Sequence, residues 1–158
     1  MQSSLSPHDV TLGLLGGGAG SRLGGADKAW LQRGGVPQVL RLAKRLSGEA
    51  ASVLVSANRD LQRYAEAGLT AIPDRRTDIG PIAGLDALAA ACTTRWMLTI
   101  PVDLVDVNDC LLRSLAAAGG GGNSVAHILN ANIEGVEFIV SNTDAQAMTS
   151  CGSRTHLQ

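Results

Sequence analysis

The sequence predicts an α/β fold, a three-layer, Rossmann-like sandwich with a mainly parallel sheet. Three observations predict it. Short apolar runs alternate with segments of helical apolar spacing over the first two-thirds of the chain. Turn or helix-breaking residues punctuate the alternation, with Pro73 and Pro101 ending two of the runs. A length of 158 residues fits one domain able to bury a real core.

The elements follow in order. Val10–Leu15 reads as a buried first strand and is followed by a glycine-rich loop. Val36–Leu46 places Val39, Leu40, Leu42, Ala43 and Leu46 at the spacing of a helix packed on a sheet. Ala51–Ser56 is the second parallel strand, Asp60–Ala67 a short helix, and Leu69–Ile72 a short strand. After Gly80-Pro81, Ile82–Cys92 is an alanine-rich helix. Trp96–Ile100 is a further buried strand, and Val107–Ala118 the next helix. Beyond a glycine run, Ser124–Ala131 suits a helix and Val136–Val140 a strand able to add to the sheet.

Charge and composition exclude several roles. The formal net charge of −1 gives no electrostatic case for nucleic acid or an anionic membrane as partner. No apolar run is long enough to cross a bilayer. Met1–Asp9 is polar, without a signal-peptide core, so the expected location is cytoplasmic. Cys92, Cys110 and Cys151 are odd in number and widely spaced, as expected of free thiols in a reducing compartment. With 3% aromatic residues, the core must be built from Val, Ile, Leu and Ala.

Leu15-Gly-Gly-Gly-Ala-Gly-Ser-Arg-Leu-Gly-Gly-Ala-Asp-Lys28 carries the chemistry. Glycines let a backbone turn sharply and bring several N–H donors to a bound anion. Arg22 and Lys28 in the same stretch suit a polyphosphate. The pattern is not the dinucleotide-binding fingerprint and lacks the Lys-Ser/Thr ending of a P-loop. A tight strand-to-helix turn without a ligand would explain the glycines, but not the two cations.

This segment resembles the signature of sugar-nucleotide-type nucleotidyltransferases, and most closely that of molybdenum cofactor guanylyltransferases, whose version ends in Asp-Lys. Gly16 stands where the family usually has alanine, and Leu23 where it has methionine. Ser56-Ala57-Asn58-Arg59, Asp74, Gly80-Pro81-Ile82-Ala83-Gly84, Trp96 and Pro101-Val102-Asp103 match the same family in order, over about residues 10–118. Val102 replaces the family's usual cysteine. The resemblance implies a sheet of the nucleotidyltransferase type and transfer of GMP from GTP to molybdopterin. GTP-binding residues would be Leu15, Gly16, Gly17, Gly18, Gly20, Arg22, Lys28, Ser56, Asn58, Asp74 and Asp103. Arg22, Lys28 and Asp103 would be catalytic, with Asp103 holding Mg²⁺. Gly80, Pro81 and Gly84 would face the pterin. Molybdoenzymes or their chaperones are the protein partners it implies.

The residues also admit plainer readings. Asp103 could cap the helix beginning near Val107, Asn58 could be a turn residue, and Asp74 with Arg75 a surface ion pair. Arg59 reads as a solvated charge, and His8, His127 and His156 show no catalytic partner. Cytidylyl or another nucleotidyl transfer is the nearest alternative activity.

After Ala118 the guanylyltransferase match stops, where that family should continue to a later Asn-x-Asn-Thr-Pro motif. Gly119–His127 and Gly135–Met148 instead resemble the start of the tubulin-like cell-division GTPase FtsZ. That family's Gly-Gly-Gly-Thr-Gly-Thr-Gly signature is absent, so its GTPase activity and polymerisation are not expected. The expectation is a C-terminally truncated nucleotidyltransferase over 1–118 with an FtsZ-like fragment over 119–158, added to the same domain. Its activity would be impaired, and a nucleotide-binding or inactive chimeric fragment is the alternative.

Overall fold

The computed structural model describes residues 6–16, 22–23, 26–77, 82–94, 96–102, 126–127 and 137–141. Strands β1 (Val10–Leu15), β2 (Arg22–Leu23), β3 (Ala26–Asp27), β4 (Gln32–Arg33) and β5 (Val36–Pro37) precede helix α1 (Gln38–Arg45). Then come β6 (Ser52–Ser56), α2 (Leu61–Glu66), β7 (Thr70–Ile72), α3 (Ala83–Ala91), β8 (Trp96–Pro101), β9 (Ala126–His127) and β10 (Glu137–Ser141). The main sheet runs β7-β6-β1-β8-β10-β9. Every pair in it is parallel except β10 with β9.

Strand alternation divides the core between two faces. Val10, Leu12 and Leu14 of β1, Val55 of β6, and Leu98 and Ile100 of β8 pack with Val39, Leu42 and Leu46 around α1 and Tyr64 of α2. The other face joins Met97 of β8, Leu15 and Leu54 to Leu85, Leu88 and Ala89 of α3. Each fully buried aliphatic side chain contributes roughly 1.5–3 kcal/mol of transfer free energy, which makes these two clusters the main source of stability. Gly13 lets α3 lie close on β1, since an added Cβ would meet Leu88 Cδ1 and Met97 Sδ at 3.1 Å each. At the amino ends of the strands, Thr11 Oγ1 bonds Thr94 Oγ1 (2.7 Å) and Ser52 Oγ (3.1 Å), satisfying hydroxyls on the buried sheet.

Two expectations change. The helix expected from Val36 begins at Gln38, because Gly34 and Gly35 (φ 59° and 80°) turn the β4–β5 hairpin first. The helix expected over 124–131 is not formed at Ala126–His127, which pairs antiparallel with β10 as a short edge strand. There, edge pairing supplies backbone partners to a segment too short for an independent helix. The strand expected at 136–140 is present as β10 and extends the sheet beside β8. The helix expected at 107–118 lies outside the described residues.

Candidate active site

The chain moves from β1 outward through β6 to β7, then crosses β1 to place β8 on its other side. In open α/β sheets ligands bind outside the carboxyl ends of the strands at such a reversal. Register aligns the strand ends in one row: Leu15 opposes Ser56 and Pro101, and Ser56 opposes Ile72.

Gly16 starts the loop from this row. Its N–H donates to the Ser56 carbonyl (3.1 Å), while the Val102 N–H donates to the Leu15 carbonyl (3.1 Å). A Cβ at Gly16 would stand 3.1 Å from the Ser56 oxygen and 3.2 Å from Val102 Cγ1, so alanine would need its neighbours to yield slightly. Gly17, Gly18, Gly20, Gly80, Pro81 and Asp103 lie outside the described residues.

The β2–β3 hairpin sets Arg22 directly opposite Asp27, one residue before Lys28. Of the two cations singled out in the sequence, Arg22 thus lies in the hairpin and Lys28 follows it as the first residue of a 3-10 turn. Asp27 caps the 3-10 turn Lys28–Trp30, its Oδ1 accepting the Ala29 N–H at 2.9 Å. Its Oδ2 accepts the Tyr64 hydroxyl at 3.1 Å. Burial and the Asp27 carboxylate push the Tyr64 phenol well above its ordinary range, so it stays a proton donor. Asp27 and Tyr64 were not among the sequence's site residues; the signal available was an aromatic inside α2 in a chain almost without aromatics.

At the ends of β6 and β7, Asn58 and Asp74 close a reciprocal ring. Asn58 Nδ2 donates to Asp74 Oδ2 (3.0 Å) and the Asp74 N–H donates to Asn58 Oδ1 (2.8 Å). Asn58 is therefore more than a turn residue, since it ties the ends of β6 and β7 together. Arg75 forms its fork with Asp86 of α3, through Nε (3.2 Å) and Nη2 (3.0 Å). The guanidinium holds the Asp86 carboxyl below its ordinary range. The acidic partner of Arg75 in that fork is thus Asp86, and Asp74 is engaged by Asn58.

Ser56 and Gly84 meet inside the fold. Ser56 is fully buried, and an added Cβ on Gly84 would lie 2.7 Å from its hydroxyl oxygen. The Ser56 hydroxyl and Asp74 Oδ1 are buried without a hydrogen-bond partner among the described residues. Two orphaned oxygens at the carboxyl edge of a sheet mark a place where a polar ligand can complete the bonding.

A model of the MobA-like NTP transferase domain matches residues 13–152. The chain belongs to this family. The match covers most of the chain and runs past residue 118, where the sequence reading ended the resemblance. A molybdenum cofactor guanylyltransferase of Cupriavidus metallidurans is 39% identical over 115 residues, covering 72% of this chain and 57% of that protein. Another, from an Acidovorax species, is 39% identical over 100 residues, covering 63% of this chain and 47% of that protein. The chain thus spans about half the length of the curated relatives it matches. Two solved structures share its MobA-like fold. Molybdopterin-guanine dinucleotide biosynthesis protein A from Archaeoglobus fulgidus superposes with TM-score 0.50 at 15% identity, over 90% of this chain and 99% of that one. CMP:2-keto-3-deoxy-manno-octonic acid synthetase, complexed with CTP, superposes with TM-score 0.53 at 18% identity, over 77% and 50%. Among the described residues of this MobA-like chain, no helix is long and apolar enough to cross a membrane.

Proposed function

We propose that this chain carries the nucleotide half of a molybdenum cofactor guanylyltransferase, which transfers GMP from GTP to molybdopterin. The observation that carries the reading is the row of strand ends at the sheet reversal, followed in the chain by the Gly16 loop start, the Arg22–Asp27 hairpin and the Asn58–Asp74 ring. The names of the curated relatives supply the substrate class.

In this reaction a phosphate oxygen of molybdopterin attacks the α-phosphorus of GTP. The α–β anhydride bond breaks and pyrophosphate leaves. Positioning and charge neutralisation supply most of the acceleration in such transfers. Loop amides beyond Gly16, with Arg22 and Lys28, hold the phosphates and offset the charge growing on pyrophosphate. Asn58 and Asp74 contact the nucleoside. Gly80 and Pro81 face the pterin, whereas Gly84, also expected on the pterin side, packs against Ser56.

Mg²⁺ is held in this reading by Asp103 and the phosphates. Among the described residues no group of three metal-binding side chains occurs. Mg²⁺ keeps several of its waters and binds through one or two carboxylates plus substrate phosphate. Asp74 Oδ1, buried without a partner among the described residues, is a carboxylate oxygen of the right kind at the carboxyl edge of the sheet. When bound, the cation neutralises phosphate charge. The protein acts in the cytoplasm, with molybdoenzymes or their chaperones as onward partners.

Residues 119–158 are read as an FtsZ-like fragment added to the same domain. Its support is the sequence runs Gly119–His127 and Gly135–Met148. The family match through residue 152 weighs toward a continuous domain instead. Sequencing the source gene across residues 115–125 separates the two: a junction there supports the fragment, and an uninterrupted gene in native context overturns it.

The activity is tested by mixing α-labelled GTP, Mg²⁺ and molybdopterin and following the labelled dinucleotide. Transfer from GTP but not CTP is expected, slower than in a full-length relative. Transfer only from CTP would replace the reading with cytidylyl transfer, and no transfer despite Mg-GTP binding would leave a nucleotide-binding fragment.

A further inference from the structure

We infer that Tyr64 and Asp27 form a strut that positions Lys28, so that α2 couples the nucleoside side of the site to its phosphate side. The inference rests on the nucleotide site proposed above and adds two positioning residues to it.

The turn Lys28–Trp30 is gripped at both ends by α2. At its start, Asp27 uses one carboxylate oxygen to cap the turn and the other to accept from Tyr64 Oη. At its end, the Trp30 ring packs on Tyr64 with centroids 4.9 Å apart, and the Arg63 guanidinium lies 4.1 Å above Trp30. Ala29 between them is fully buried in the core. The backbone of Lys28 is thereby fixed from both sides, which a short 3-10 turn does not achieve on its own.

The other end of α2 explains the coupling. Asp60, in left-handed backbone conformation (φ 51°), starts the helix directly after the Ser56–Arg59 segment. Asn58 in that segment holds Asp74. One short helix therefore carries the Asn58 loop at its start and the Lys28 strut at Tyr64. Tyr64 is completely buried and its hydroxyl donates to the Asp27 carboxylate. A buried tyrosine placed only for packing could be phenylalanine; the hydroxyl is used to orient the residue next to the lysine.

Calorimetric titration with Mg-GTP and with GMP tests the strut. Tyr64→Phe keeps the ring and removes one hydrogen bond. It is expected to weaken Mg-GTP by about three- to tenfold, the scale of one such bond. GMP, which lacks the β- and γ-phosphates, should change by less than about twofold on the same scale. In a Lys28→Ala background, Tyr64→Phe should have no further effect on GTP, because the group it positions is gone. Asp27→Asn, whose amide can still accept from Ala29 and donate to the phenol oxygen, should retain most of the affinity that Asp27→Ala loses. Equal losses for GTP and GMP, additivity with Lys28→Ala, or an Asp27→Asn as weak as Asp27→Ala would each overturn the strut. If Lys28→Ala itself leaves GTP affinity unchanged, the nucleotide site is wrong and the strut falls with it.

Discussion

The contact between Ser56 and Gly84 makes a quantitative double-mutant prediction. Gly84→Ala adds a methyl 2.7 Å from Ser56 Oγ, inside any tolerable contact, while Ser56 Cβ and Leu15 Cδ2 stay at ordinary distances of 3.5 and 3.6 Å. Overpacking a core costs about 1–3 kcal/mol. Replacing glycine within a helix returns up to about 1 kcal/mol, and less in the first turn, where Gly84 sits. The single variant should therefore lose about 1–2 kcal/mol of unfolding free energy. Ser56→Ala removes a buried hydroxyl without a partner among the described residues and should be neutral or stabilising by about 1 kcal/mol. In the double variant the clash is gone and the helix gain remains, so stability should return to wild type or above. Urea unfolding of all four proteins measures the coupling, expected at about 1–3 kcal/mol and positive. Additive changes, or a Ser56→Ala variant clearly less stable than wild type, would show that the hydroxyl has a structural partner and refute the argument.

Two further outcomes follow from ion pairing and the sheet edge. Asp86 is the group whose folded-state value is lowered by Arg75, so the stability it contributes is present above the ordinary carboxylate range and is lost as pH falls through its depressed value. The melting-temperature difference between wild type and Arg75→Gln should shrink on going from about pH 5 to about pH 3; a constant difference would contradict the pairing. Ending the chain at Ala118 removes β10 and exposes the edge of β8, and should lower the melting temperature and cause concentration-dependent association on size exclusion. An unchanged, monomeric product would show that β10 adds nothing to the sheet.

The strands of the core were legible because their composition leaves few alternatives. Val10–Leu15 and Trp96–Pro101 are mainly apolar runs with abrupt stops, and both form as read, the second one residue longer. The convergence of Ser56, Asn58 and Asp74 on one edge was legible for the same reason, since the ends of parallel strands place whatever follows them. Short pairings were not. The β2–β3 hairpin and the Lys28–Trp30 turn have too few residues for periodicity, although Gly34-Gly35 carried a hairpin signal that a helical reading of Val36 overrode. The role of Asp27 was hidden because its partner Tyr64 is 37 residues away. The β9 pairing was hidden because edge pairing, a tertiary effect, decides it.

Mg-GTP is expected to bind at the carboxyl edge of β1 and β8 through the loop that ends at Lys28. Calorimetric titration of Mg-GTP into wild type and Lys28→Ala tests it most directly. Loss of one charge-assisted phosphate contact is worth about 1.5–3 kcal/mol, so the variant should bind roughly ten- to a hundredfold more weakly. Equal affinity of the two proteins, or no saturable binding to wild type, would contradict the account.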